Sequence, residues 1–277
     1  MQIGALIFAT DYAIRMDELA PELESRGYES LFVPEHTHIP ASRESAWPGG
    51  ADLPLEYSHT YDPFVALSFA AASTSTLKLG TGICLLPQRD TITTAKSVAS
   101  LDHLSRGRFI FGIGGGWNKE EMRQHGTEYN IRFARMREQV LAMRGLWTEE
   151  ESGYQGEFVK IEPSWLHPKP VQSRLPVILG GETDYTLKRI VEYGDGWLPR
   201  ARHGFDAAEN IARLKHFADE AGRYMSELTI SVFGVAPDKT ILDSYREAGI
   251  DRAILPLPPA DKDKVFSILD RYQELLT

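Results

Sequence analysis

A TIM (β/α)8 barrel, within the α/β class, is the fold this sequence predicts, and three observations lead to it. Short β-rich runs alternate with amphipathic helical patterns along the whole chain. Eight such units within about 250 residues is the usual size of this barrel. The strand-like runs are nearly continuous in apolar residues, as expected of parallel strands buried on both faces. No linker-like break divides the chain, so residues 1–277 read as one domain.

Taken in order, the first strand is "IGALIF" from Ile3. A helix follows near Ile14 to Ser25, in which Pro21 predicts a kink or a helix start. "SLFVP" from Ser30 is the second strand, and the alanine-rich stretch from Pro63 to Ser73 its helix. "LKLGTGICLL" from Leu77 is the third. Asp90 then caps a helix carrying Ile92, Ala95, Val98, Leu101 and Leu104 on one side. "RFIFGIG" from Arg108 is the fourth, followed by Phe133, Met136, Val140, Met143 and Trp147 at helical spacing. "PVILGG" from Pro176 leads into a helix capped by Thr183 or Asp184, with Leu187, Ile190 and Val191 buried. "GWLP" from Gly196 precedes a helix carrying Ala208, Ile211, Leu214 and Phe217. "LTISVFG" from Leu228 is followed by Asp238, then Ile241, Leu242 and Tyr245. "RAILPL" from Arg252 and a last helix with Val265, Ile268, Leu269 and Tyr272 complete the count. Two insertions exceed the minimal barrel: Thr37 to Thr60 after strand two, and Glu149 to Ser173 before strand five, read as a hairpin and loop.

Composition narrows the function. A net charge of −9 gives no basic surface for nucleic acid. No apolar run approaches the roughly 20 residues that span a bilayer, so no membrane role is expected. "MQIGALIFAT" lacks a signal-peptide pattern, and the single cysteine, Cys84, fits a reducing compartment; a cytoplasmic protein is expected.

Barrel chemistry sits at the C-terminal ends of the strands. Strand four ends in "GIGGGWN", where Gly112 and Gly114 fit a dinucleotide fingerprint but the sixth position is Trp117 and the third glycine, Gly116, falls one place early. More than a hundred residues precede it, so a Rossmann turn is set aside. Strand five runs through Gly180 and Gly181 into a helix start. That presents free N–H groups to an anion, or is simply a tight turn, and Glu182 and Asp184 beside it weigh against an anion. Two glycine-rich strand ends on one rim suggest a long flat ligand. Strand two ends in "VPEHTHIP". His36 reads as an acid/base and His38 as its support; an H-x-H zinc pair is the lesser reading, since only His203 offers a further ligand and no metal site is expected. Arg89, Arg200 and Arg202 read equally as anion contacts or exposed charges, and Cys84 as a packed thiol.

Together, "SLFVPEHTHIP", "LKLGTGICLLPQRD", "SLDHLSRGRFIFGIGGGWNKEE" and "LGG…TLKRIVEYGDGWLP" resemble the luciferase-like flavin and deazaflavin oxidoreductases, in particular the subgroup of probable F420-dependent oxidoreductases. The resemblance covers essentially the whole chain. It implies coenzyme F420, a deazaflavin with a phosphate and an oligoglutamate tail, or alternatively FMN. His36 would be catalytic, near the reactive ring. Gly82 and Ile83 would form a non-prolyl cis peptide behind the ring, and Gly114, Gly115, Gly116 and Trp117 would line its pocket. Gly180, Gly181 and Thr183 would hold the phosphate. Sugar-phosphate dehydrogenases of the family carry a glutamate where Trp117 stands, so that activity is not expected and the proton donor is open, Glu35 being a substitute. The expected function is hydride transfer between F420 and a small organic molecule. The alternative is an FMN monooxygenase of alkanal or alkanesulfonate type, needing a partner flavin reductase. A metal-dependent barrel hydrolase and a cofactor-binding protein without turnover are the remaining readings. The family often forms dimers. Trp47, Tyr57, Tyr61 and Trp165 are candidate apolar walls for substrate.

Overall fold

The computed structural model describes residues 1–50, 52–201 and 205–276. Eight parallel strands close into a barrel. In chain order these are β1 (Gln2–Leu6), β2 (Ser30–Val33), β3 (Lys78–Thr81), β4 (Phe109–Ile113), β7 (Val177–Gly180), β8 (Gly196–Leu198), β9 (Thr229–Phe233) and β10 (Arg252–Pro256). All eight expected strands are present. Closure comes from β1, which pairs with β10 at Gln2↔Arg252 and with β2 at Gly4↔Ser30. β5 (Ser152–Gln155) and β6 (Lys160–Ser164) form an antiparallel hairpin outside the barrel, within the second insertion. Glu138 anchors this hairpin by accepting the N–H groups of Glu157, Phe158 and Val159.

The helices alternate with the strands as α1 (Met16–Ser25), α2 (Pro63–Ala72) and α3 (Thr91–Leu104), then α4 (Lys119–Gln124) and α5 (Arg132–Thr148) after β4. α6 (Asp184–Tyr193), α7 (Ala207–Glu220), α8 (Lys239–Ala248) and α9 (Lys262–Tyr272) complete the set. Side-chain caps start most of them: Asp62 on α2 with Pro63 at the first position, Asp90 on α3, Thr183 on α6 and Asp238 on α8. Pro21 lies inside α1 rather than at its start.

Two helix faces differ from expectation. On α3, Ala95, Val98 and Leu101 are buried, but Ile92 and Leu104 are exposed. A strict three-residue step falls behind the 3.6-residue turn by about 60° each time, so the ends of a five-member series leave the face that its centre occupies. For the same reason Ala208 is exposed on α7, whose buried stripe is Ala207, Leu214 and Ala218.

The core has two parts. One large cluster fills the space between strands and helices. A smaller one, Leu6, Phe32, Ile110, Ile178, Leu198 and Ile254, fills the barrel itself, with Ile83 and Phe233 packed against it from the C-terminal end. Gly80 makes room for Phe32, whose ring lies 2.2 Å from where a Cβ would stand. The lower barrel is thus solid, and the cavity begins at the level of Ile83 and Phe233.

Candidate active site

At the C-terminal rim lies a cavity of about 570 Å³, within the range of ligand and cofactor sites. It brings together all ten residues that the resemblance singled out. His36 comes from the end of β2; Gly82 and Ile83 follow β3; Gly114, Gly115, Gly116 and Trp117 follow β4; Gly180, Gly181 and Thr183 join β7 to α6.

Local packing explains several of the glycines. A Cβ on Gly114 would stand 2.6 Å from Ile83, and one on Gly180 would stand 2.5 Å from it. The two glycine strand ends therefore admit the Ile83 side chain between them. Gly116 has φ +72°, a left-handed conformation that favours glycine.

The expectation of a cis peptide at Gly82–Ile83 is not met. Among the described residues the cis bond is His167–Pro168, and Gly82–Ile83 is trans. Here the chain is held by ordinary pairing: Gly82 N–H donates to Val33, Cys84 N–H to Gly112, and Gly114 N–H to Cys84. A non-prolyl cis bond costs about 3–4 kcal/mol, and this ladder forms without that cost.

His36 is buried and makes one strong contact. Its Nδ1 lies 2.8 Å from Oε2 of Glu121, a fully buried carboxylate. The other carboxylate oxygen accepts the Thr37 N–H at 3.2 Å. With Nδ1–H donating to Glu121, the imidazole is fixed in tautomer and direction, and Nε2 is left as the proton-accepting atom. The rings of Tyr57 and Trp117 stand 5.2 and 5.7 Å from the imidazole, centroid to centroid. Glu121 was missed in the sequence reading. The N-x-x-E spacing from Asn118 marks only the helix start, where the Asn118 side chain caps α4 by accepting the Glu121 N–H.

α4 also fastens the Thr37–Thr60 loop. Glu120 accepts the Ser45 N–H at 2.7 Å and the Ser45 hydroxyl. Gln124 meets His38, and His125 meets the Thr37 hydroxyl. Burial and the neighbouring His38 push the His125 imidazole below its ordinary value. His38 thus belongs to this clasp, its two ring nitrogens meeting Thr37 and Gln124. Among the described residues no three His, Cys, Asp or Glu side chains are placed to share an ion. His203 and Arg202 lie outside the described residues.

Glu35 lines the cavity but is fully engaged, accepting the Leu85 N–H at 2.7 Å and Arg89 Nε at 2.7 Å. It is an anchor for the β3 exit rather than a substitute proton donor. Arg89 bridges Glu35 and Asp62. Burial alone would push its guanidinium down, but the charges around it hold it above the usual arginine value. Arg89 is therefore a structural ion-pair partner, not an anion contact. Cys84 is fully buried, and burial and Glu35 push its thiol well up. Tyr57 lines the cavity with Trp47 packed edge-on against it at 5.7 Å, whereas Tyr61 and Trp165 are exposed and form no wall.

Beside the start of α6, Arg200 pairs through two bonds with Glu182, and Arg213 pairs with Asp184 at 2.6 Å. The two acids that weighed against an anion at the α6 N-terminus are thus balanced.

The model of the luciferase-like monooxygenase family matches residues 8–262. The chain belongs to this family. Across 276 residues it is 40% identical to an uncharacterized protein of Mycobacterium tuberculosis, covering 98% of this chain and 97% of that one. An F420-dependent secondary alcohol dehydrogenase, solved with an F420-acetone adduct, has the same fold with a TM-score of 0.78. It is 19% identical, and the match covers 99% of this chain and 97% of that one. The monooxygenase RslO1 of Streptomyces bottropensis superposes with a TM-score of 0.80 at 18% identity, covering 99% and 98%. Members of the luciferase-like family are oxidoreductases and monooxygenases, and no helix among the described residues of this one is long and apolar enough to cross a membrane.

Proposed function

We propose that this chain is an F420-dependent oxidoreductase that moves a hydride between the deazaflavin and a small, uncharged organic substrate. The carrying observation is the His36–Glu121 pair at the mouth of the barrel. It is a buried, oriented acid–base group beside an aromatic wall of Phe8, Tyr57 and Trp117, in a cavity of cofactor size.

The residues fit such a cofactor. Gly114 to Trp117 and Ile83 would flank the ring, and the start of α6 at Gly180, Gly181 and Thr183 would take the phosphate. There the Asp184 and Tyr185 amides have no intrahelical acceptors, while Thr183 caps the Thr186 N–H. Bound F420 supplies the hydride chemistry itself. This chain's part is to orient and to handle the proton. Glu121 holds Nδ1–H, and Nε2 of His36 accepts a proton from a substrate hydroxyl or returns it to a carbonyl oxygen. The Thr37–Thr60 loop, clasped by α4, limits water at that end. No unpaired charge faces the His36 end among the described residues, which favours a neutral substrate.

The FMN reading stays as the alternative, supported by the family's monooxygenase members and the likeness to RslO1. It would require a separate flavin reductase. The hydrolase reading is weakened because both ring nitrogens of His38 are engaged by Thr37 and Gln124, while His36 meets Glu121. Comparing F420 and FMN binding by the purified protein tests the proposal.

A further inference from the structure

The loop from Thr37 to Thr60 meets the His36–Glu121 pair at both of its ends. At its start, the Thr37 N–H donates to Oε1 of Glu121 at 3.2 Å, the oxygen that His36 does not use. At its close, the Thr60 hydroxyl donates to the His36 carbonyl at 2.8 Å. Thr37 has a second set of contacts. Its hydroxyl lies 2.7 Å from Nε2 of His125, just past α4, and 3.1 Å from Nδ1 of His38. His38 reaches Gln124 through its other nitrogen. One residue thus joins the buried pair to a chain of His125, Thr37, His38 and Gln124 at the surface, where solvent protons reach the imidazoles.

The direction of each bond in that chain follows from Gln124. Its oxygen can only accept, so Nε2 of His38 carries a hydrogen. A neutral His38 then has a bare Nδ1, which takes the Thr37 hydroxyl hydrogen. That hydroxyl has no second hydrogen, so Nε2 of His125 donates to it. A proton added to His38 has only Nδ1 to go to. It makes Nδ1 a donor and turns the Thr37 hydroxyl hydrogen out of the chain. A proton on His125 places a charge on a ring 5.4 Å from that of His38, centroid to centroid. The charged groups facing His125 are Glu121 near the middle of α4, His38 on the loop, Glu35 after β2 and Arg89 after β3. Burial, His38 and Arg89 disfavour the imidazolium, whereas the two glutamates favour it. Each of these changes acts on Thr37, whose amide holds Glu121.

Resting on the reading of His36 and Glu121 as the proton-handling pair, we propose that Thr37 is a positioning residue, which transmits the protonation state of His38 and His125 to Glu121 and so to the aim of His36. The loop over the substrate end and the group that handles the proton are then set together. With both surface imidazoles neutral, the loop is clasped and both oxygens of Glu121 are engaged. With the chain protonated, Thr37 shifts, Glu121 is held by His36 alone, and Nε2 of His36 loses its fixed direction.

The test is NMR of the cofactor-free protein from about pH 8 to about pH 5, the range in which imidazoles titrate. The proteins are the wild type, Thr37→Val and Thr37→Ser. Valine keeps the amide and the branched shape but loses the hydroxyl, and serine keeps the hydroxyl. Thr37 is exposed, so neither change opens the core, and thermal melting verifies that each variant folds. In the wild type the ring signals of His38 and His125 should titrate as a coupled pair. The His36 ring nitrogens and the Glu121 carboxyl carbon should step at the same pH. Thr37→Val should abolish that shared step and Thr37→Ser should restore it, whereas a merely structural threonine would alter melting and leave the step in place. Wild-type His36 and Glu121 signals that ignore the titration of the surface pair overturn the proposal. So does a shared step that survives in Thr37→Val, which would mean that the charge acts through space. No cofactor takes part, so failure of the protein to bind F420 overturns the F420 reading alone, and a missing step overturns this inference alone.

Discussion

Replacing Glu121 by Gln tests whether the His36 pair is the working part of the site. The carboxylate accepts two hydrogen bonds, from His36 Nδ1 at 2.8 Å and from the Thr37 N–H at 3.2 Å. A glutamine has one acceptor oxygen, and its NH2 group faces a donor. One buried donor is left unsatisfied, at a cost of about 1–3 kcal/mol. For a domain of this size that is a fall of about 2–5 °C in Tm. If the amide oxygen stays with Thr37, the imidazole loses its anchor and Nε2 loses its aim. A positioned acid–base group contributes about 10²–10⁴ to rate, so turnover should fall about tenfold to a hundredfold. Cofactor affinity should stay within about twofold, because Glu121 touches the histidine and not the cavity's anion site. His36→Ala should share the turnover loss and the unchanged affinity. The assay is cofactor oxidation or reduction with a turned-over substrate, alongside nitrogen NMR of the His36 ring, which reads the tautomer without substrate. In the wild type the ring should be protonated at Nδ1, and in Glu121→Gln the tautomers should mix. Turnover within twofold of wild type in a folded Glu121→Gln, with the tautomer unchanged, would refute the pair as the proton-handling unit.

Two further predictions concern the scaffold. Gly112→Ala should destabilise by about 3 kcal/mol or more, because the new Cβ would stand 2.0 Å from the Thr81 carbonyl oxygen and must force β3 from β4. Gly126→Ala, with open space and only a left-handed φ of +75°, should cost about 1–2 kcal/mol in the same melting experiment. Acid should also weaken the barrel through Glu29. Burial pushes this carboxyl up, but the two-bond pairing with Arg252 and the contact with Lys78 hold it down at about 2, against 4.5 unfolded. A lowered folded value means that the stabilisation is complete above about pH 4.5 and is lost as pH falls toward 2, amounting to roughly 3 kcal/mol at 1.36 kcal/mol per unit. Melting from pH 6 to 3 should show a shallower loss in Glu29→Gln than in the wild type; parallel curves would contradict this.

The barrel was legible because each strand is buried on both faces and so keeps an unbroken apolar run, "SLFV" and "FIFGI" being the clearest. Asp90 and Asp238 were readable as caps because a short acid before a periodic segment has one common use. Glu121 was not legible as a partner of His36. The two are 85 residues apart, and α4, at six residues, is too short to show a helical period. Arg132 and Arg189 look like ordinary surface charges on two helices, since only the fold shows that both stack on Phe133 and that Arg132 also stacks on Tyr129. Arg89 and Arg200 looked the same in sequence and turned out to be neutralised. Whether a charge is paired is a tertiary property that sequence spacing does not reveal.

The most direct test of the central claim is equilibrium titration of the purified protein with F420 and, separately, FMN, each oxidised and reduced, followed by fluorescence. The account predicts F420 binding at least about tenfold tighter than FMN, a difference of about 1.4 kcal/mol. Preference for reduced FMN would contradict it and move the protein to the two-component monooxygenases of its family.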